Sequence, residues 1–248
     1  MAIHYRTKAF ILNKADFQEA DQVFTVFTKD FGKLKVLGKA IRKIKSKLRA
    51  GAELFYLSEI EFIQGKNHKT LTDAIAIEKF KNMKQDLEKL EITGQIAENV
   101  DDLIKGEEKD EQVWDLLNET FDKLNDYKLQ TINPSTPSSG PRGYPPIYHY
   151  FVWNLLSILG YQMDLYHCNN CQKKLIPEKL YFNSEEGIVC SGCFEGAADK
   201  EISPEIIKIL RLFLKKDWNI LLRLKIQDFH KKELEAISLD FLKSVRYD

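Results

Sequence analysis

Net charge is the first thing this sequence lacks. Its 37 basic and 37 acidic side chains cancel, so no overall cationic character draws the chain onto a polyanion. Cysteines number only four and fall in two close pairs, too few and too clustered for a disulfide scaffold. Proline is scarce as well, and five of the seven crowd into residues 131–146. No run approaches the roughly 18–20 apolar residues that span a bilayer, and the opening MAIHYRTKAF has no apolar core behind a charged start. These absences predict a soluble, cytoplasmic protein. Neither G-x-x-x-x-G-K-[ST] nor G-x-G-x-x-G occurs, which leaves nucleotide-driven chemistry without support. The five histidines are dispersed, and spacing assembles no Ser, His and Asp set, so no catalytic residue is assigned and the chain reads as a non-enzyme.

Against that neutral background, residues 32–49 (GKLKVLGKAIRKIKSKLR) stand out. They carry Lys33, Lys35, Lys39, Arg42, Lys43, Lys45, Lys47 and Arg49 with no Asp or Glu among them. A block of one sign in a neutral protein calls for a polyanion, and nucleic-acid phosphate is the usual one. The charge is also segregated along the chain. Residues 1–80 hold 15 basic and 9 acidic side chains, residues 81–130 hold 7 and 14, and the rest is near balance. A basic face on one region backed by an acidic one elsewhere would orient the protein on an anionic partner.

Hydrophobic alternation predicts strands over 6–14, 22–30, 31–41, 54–64 and 69–78, five in about eighty residues, which suits a small antiparallel barrel. In the third strand Lys33 and Lys35 share one face, expected to be wet and positive, and Leu34 and Val36 share the other. The second strand is either apolar on both faces or lays an aromatic on an exposed one. Phe24, Phe27, Phe31 and Tyr56 are therefore either barrel core or platforms on which bases stack. In the fifth strand Leu71, Ile75 and Ile77 are expected on a common side. Asp16, Glu19 and Asp21 sit in the turn predicted at 15–21, where a solvated turn is a better reading than a cation site.

After Ile77 the period changes to about three and a half, and Phe80, Met83, Leu87, Leu90, Gly94, Ala97 and Val100 predict one amphipathic helix. A domain boundary is expected there, dividing the chain into 1–79, a nucleic-acid-binding domain, and 80–248, a helical domain. Further helices are expected at 111–127, at 147–160 with Gly160 as stop, after the Ser203–Pro204 cap, and from about Asp228. The proline-rich 131–146 reads as a loop.

Cys168 and Cys171 enclose two residues, Cys190 and Cys193 enclose two more, and eighteen residues lie between the pairs. That spacing suits one tetrahedral Zn2+, with Leu180, Phe182 and Ile188 as cover. Two disulfides or a redox dithiol are the alternatives. Four thiolates leave no position for a reacting water, so the ion's role would be structural, within an insertion at about 164–198. Its lysines, Lys173, Lys174 and Lys179, are matched by Glu178, Glu185 and Glu186, so the module has no phosphate-seeking excess. His167 is the one other ligand type nearby.

Two stretches carry a resemblance to a known family. AFILNKADFQEADQVFTVFTKDFGKLKVLGKAIRKIKSKL is similar to the first domain of the bacterial recombination mediator family RecO, an OB-fold. FVWNLLSILGYQMDLYHCNNC resembles the helix that leads into that family's four-cysteine zinc motif. The resemblance implies an α+β chain, an OB-type barrel followed by a helical bundle with a zinc insertion. It also implies binding to single- and double-stranded DNA, annealing of complementary strands, association with the nucleoid, and work with RecR, single-strand-binding protein and RecA. On the matching positions it assigns the DNA surface to the eight cations of residues 32–49 and the metal to the four cysteines. The proline-rich 131–146 and Met163, where a proline is common, depart from the family pattern. A protein-interaction scaffold using the acidic 81–130 region is the competing reading, and a thiol redox enzyme a third.

Overall fold

A computed structural model describes residues 3–128, 146–184, 186–196 and 200–246. Five strands close a barrel: β1 (His4–Phe17), β2 (Asp21–Thr28), β3 (Gly32–Gly38), β4 (Leu57–Gln64) and β5 (Lys69–Glu78). Their order is β1-β2-β3-β5-β4, with β4 returning to β1, the OB-type barrel expected from the sequence. The closing pair β3–β5 is parallel, Val36 opposite Lys69 and Leu37 opposite Thr70. An odd ring of strands cannot alternate direction all the way round, so the all-antiparallel barrel expected from the sequence is corrected at this one pair.

Alternation fills the interior with Ala9, Ile11, Phe24, Val26, Leu34, Val36, Ile60, Phe62, Leu71 and Ala74. The outer faces of β1 and β2 are buried as well. Phe10 and Phe27 are fully buried, Phe10 lying 5.0 Å from the Trp114 ring and 5.2 Å from Phe121, and Phe27 6.5 Å from Trp114. This is why β2 is apolar on both faces. Phe24 faces the barrel core, and Phe31 packs edge-on against Tyr5 and Phe62. Tyr56 is half-buried beneath the Lys84 ammonium, 4.4 Å from the ring centre. The aromatics considered as stacking platforms are thus engaged by the fold. In β5 a register shift between the partners of Glu61 and Phe62 turns Ala74 inward and leaves Ile75 and Ile77 exposed, correcting the common side expected for them with Leu71.

The single helix expected from Phe80 is two: α1 (Lys81–Lys84) and α2 (Leu87–Leu103). Asp86 separates them by capping α2, its carboxylate accepting from the Lys89 N–H at 3.1 Å, and Leu87 is left exposed. The buried stripe of α2 instead begins at Lys89, whose ammonium donates to the carbonyls of Asn125 (3.3 Å) and Tyr127 (2.5 Å). Those carbonyls end α3 (Glu111–Asp126), which buries Val113, Leu116, Leu117, Thr120, Phe121 and Leu124 as its period requires. A cation at a helix C-terminus satisfies carbonyls that have no partner within the helix.

The chain forms two compact units, Met1–Tyr127 and Lys128–Asp248. Compactness therefore divides it after α3, whereas the hydrophobic period changes near Phe80. The second unit is built on α4 (Ile147–Ile158), almost wholly buried, against α5 (Pro204–Leu214) and α7 (Asp228–Arg246). Ser203 stands at the expected cap position of α5, but its hydroxyl donates to Glu233 (2.8 Å) rather than capping the helix. A short α6 (Trp218–Leu221) and a sheet of β6 (Leu180–Asn183), β7 (Gly187–Cys190) and β8 (Lys200–Ile202), ordered β7-β6-β8, complete this unit. Apart from Pro146, which precedes α4, the proline-rich 131–146 lies outside the described residues. Among the described residues no helix is long and apolar enough to cross a membrane.

Candidate nucleic-acid interface and metal centre

The basic stretch leaves β3 at Gly38 and continues as a series of turns, ending in a 3-10 turn at Leu48–Ala50. A segment so rich in lysine cannot form a core of its own, and it is anchored by a few of its apolar residues. Ile41 and Ala52 are each 2% exposed in the barrel core, and Leu48 packs against it. Gly51 permits the closing approach, because a Cβ there would lie 2.0 Å from the Ala74 carbonyl oxygen.

The start of the loop is tied to the β1–β2 hairpin. Asp21 Oδ1 accepts from the Ala40 N–H at 2.7 Å, the Arg42 N–H donates to the Ala20 carbonyl at 3.0 Å, and the Arg42 guanidinium meets Asp16 at 3.2 Å. Two carboxylates of the predicted acidic turn thus position the basic loop. Sequence reading missed that role, and no local signal reveals it, since the partners lie some twenty residues apart.

Seven of the eight cations, Lys35, Lys39, Arg42, Lys43, Lys45, Lys47 and Arg49, are exposed. Lys33 differs. Its ammonium donates to the Asp101 backbone carbonyl and meets the Asp101 carboxylate at 3.2 Å, leaving the side chain 15% exposed. Strand alternation places Lys33 and Lys35 on one face, but α2 covers that face at Lys33. The nearby Gly32, at φ +63°, admits the Glu108 carbonyl to within 2.1 Å of where a Cβ would stand.

A second charged surface on the barrel is self-neutralised. On β1 and β4, Arg6 pairs with Glu59 (3.5 Å) and Glu61 (3.1 Å), and His4 with Glu61 (2.8 Å). Hydrogen bonds from His4 first, then Thr72 and Arg6, hold the Glu61 carboxyl down to about 2. The loop differs, because among the described residues only Arg42 of its six cations is paired with a carboxylate, that of Asp16.

In the second unit the Sγ atoms of Cys168, Cys171, Cys190 and Cys193 all lie within 4.8 Å of one another. The Cys171–Cys190 separation is 3.7 Å, close to the roughly 3.8 Å edge of a tetrahedron with 2.3 Å metal–sulfur bonds. Each pair sits on its own turn. The Gln172 N–H donates to the Cys168 carbonyl (2.9 Å), and Cys190 ends β7, where its N–H reaches Cys168 Sγ (3.4 Å). Leu180, Phe182 and Ile188, expected as cover, are buried.

Burial opposes ionisation of Cys168, yet N–H groups of Cys171, Cys190 and Asn170 bring its thiol down to about 6. Cys193 is pushed up to about 12, by the Cys171 thiol first, then by burial and by Cys190 and Cys168. Four crowded sulfurs cannot all carry charge without a cation among them, so the donor set fits a metal ion. His167 lies beside the cluster with its ring nitrogen 3.0 Å from Asp164, which also accepts from the Tyr166 and His167 N–H groups.

The fold and sites define a two-unit protein, an OB-type barrel with a cationic loop and a helical unit carrying a four-cysteine centre. Residues 1–80 match the family model described as recombination protein O N terminal, and residues 84–245 the one described as recombination protein O C terminal. The chain belongs to the recombination protein O (RecO) family. It is 30% identical over 232 residues to the DNA repair protein RecO of Dehalococcoides mccartyi strain CBDB1, covering 93% of this chain and 86% of that one. It is 26% identical over 241 residues to that of Thermoanaerobacter sp. strain X514, covering 96% and 91%. Both relatives are DNA repair proteins, and the family is one of DNA repair.

Proposed function

We propose that this chain is a non-enzymatic recombination mediator. It binds single- and double-stranded DNA through β3 and the loop that follows it, anneals complementary strands, and helps RecA load on DNA coated with single-strand-binding protein, together with RecR. The contacts are made by Lys35, Lys39, Arg42, Lys43, Lys45, Lys47 and Arg49, with Lys33 serving chiefly to hold the barrel against α2. Residues 1–79 are the DNA-binding part and 80–248 the helical part. The cysteine centre holds one structural Zn2+, whose four-thiolate shell would stabilise the β6–β7 hairpin and the turns that carry the ligands. The protein works at the nucleoid.

One observation carries this reading: seven exposed cations, Lys35 on β3 and six on the anchored loop that follows it, in a neutral DNA repair protein. The competing scaffold reading is weakened because part of the acidic 81–130 region is engaged at the barrel, Asp101 with Lys33 and Glu107 with Lys69 (2.6 Å).

The test is a salt-titrated binding and annealing assay with single-stranded DNA, duplex DNA and RNA. Neutralising about five to seven phosphates of a single strand gives a log–log salt slope of roughly −3.5 to −5, with little sequence preference. A flat salt response, or no acceleration of annealing, would refute the proposal.

A further inference from the structure

Ile44 has no place in a purely electrostatic grip. At 94% exposure it is the most exposed large apolar side chain among the described residues, while Ile41, three positions earlier, is 2% exposed. Arg42, Lys43, Lys45 and Lys47 surround it in sequence, all exposed. Its presentation is built into the loop. The Asp21 carboxylate and Ala20 carbonyl fix Ala40 and Arg42, the Lys43 N–H donates to the Ala40 carbonyl (3.1 Å), and the Ser46 N–H to the Lys43 carbonyl (2.9 Å). Ile44 is thus held outward by a tied turn.

The partner of such a tip must be anionic and must also offer apolar surface. Single-stranded nucleic acid does both, since its unstacked bases expose their faces beside the phosphates, whereas a duplex buries those faces in the stack. An anionic membrane has the same two properties, but stable attachment there needs a large apolar area, and one isoleucine does not provide it. We propose that Ile44 is a base-contacting residue, packing on the faces of unstacked bases while the flanking cations hold the phosphates. The loop then carries a non-electrostatic preference for single strands over duplex. This inference rests on the DNA-binding reading above.

The experiment uses the full chain, three oligonucleotide probes of equal length (a single strand, the same phosphate backbone with abasic sites, and a duplex) and, as a fourth probe, phosphatidylserine vesicles. Ile44→Ser is expected to weaken binding to the base-bearing single strand by about three- to tenfold. Affinity for the abasic strand and the duplex should change by less than about twofold, with the salt slope unaltered because no phosphate contact is lost. Ile44→Leu should restore the affinity. An equal loss on the abasic probe, no loss on any probe, or a loss confined to anionic phosphatidylserine vesicles would overturn the inference. If the wild-type chain binds no probe in a salt-sensitive manner, the DNA-binding reading itself fails. If it does bind and Ile44→Ser is neutral, only the role of Ile44 falls.

Discussion

The basic loop and the cysteine module solve one physical problem in opposite ways. Both are short, turn-rich segments that cannot bury a core of their own. The loop sends Ile41 and Leu48 inward against the barrel, and its charged residues and Ile44 outward. The module turns four thiols toward a common point, Cys168 buried and Cys171 exposed, and leaves Lys173, Lys174, Glu178, Lys179 and Glu186 outside. A loop held by apolar anchors can dedicate its polar side chains to a partner. A module held through its polar side chains has spent them on itself, which is why one region reads as an interface and the other as support.

The comparison breaks most visibly at the metal. Cys168→Ser removes the fully buried ligand and is expected to abolish metal content and cost the second unit several kcal/mol, measured by elemental analysis and thermal unfolding. Oligonucleotide affinity of the folded barrel should stay within about threefold. A collapse of binding with the barrel intact would contradict the division of labour.

Next comes the loop. Lys39, Lys43, Lys45 and Lys47 take no part in the ion pairs that anchor it, so changing all four to Glu should leave the melting temperature in place. DNA affinity should fall at least about 100-fold at low salt, read by fluorescence anisotropy.

A smaller effect lies in the second unit. His149, 3.2 Å from the Ser238 hydroxyl, is held by burial down to about 4 from its ordinary 6.5. Between those values the unfolded chain binds the proton that the folded one refuses. Stability therefore rises with pH across the window and is lost as pH falls from about 6.5 to about 4, by on the order of 3 kcal/mol. Denaturant unfolding at successive pH values should show this slope, and His149→Gln should flatten it.

The smallest effect sharpens the boundary of the interface. Lys33→Ala should cost about 1 kcal/mol of stability by stranding Asp101, while weakening DNA binding by less than about twofold. Lys43→Ala should do the reverse.

Much of this was legible from residue types and spacing. The two C-x2-C pairs announced the metal-type centre because ligand chemistry depends on few residues at short range. The strands and most helices followed from period, and Gly160 and Pro204 fell where α4 ends and α5 begins. The failures share a cause. Leu87 and Ile77 look like core by period, yet a cap at Asp86 and a register shift in β5 turn them to solvent. Lys89, absent from the apolar period, is buried because carbonyls at the end of α3 accept from its ammonium.

Sequence alone determined that this neutral chain carries a one-signed cationic stretch, a barrel's worth of alternating strands and a four-cysteine centre. Those properties are local, set by composition and by spacing over a few residues. Tertiary structure decided which cations face outward, that Lys33 is spent on Asp101, that Asp16 and Asp21 brace the loop, and that Ile44 stands at its tip. Each of these depends on what covers a face, and a strand's alternation names two faces without saying what lies against either.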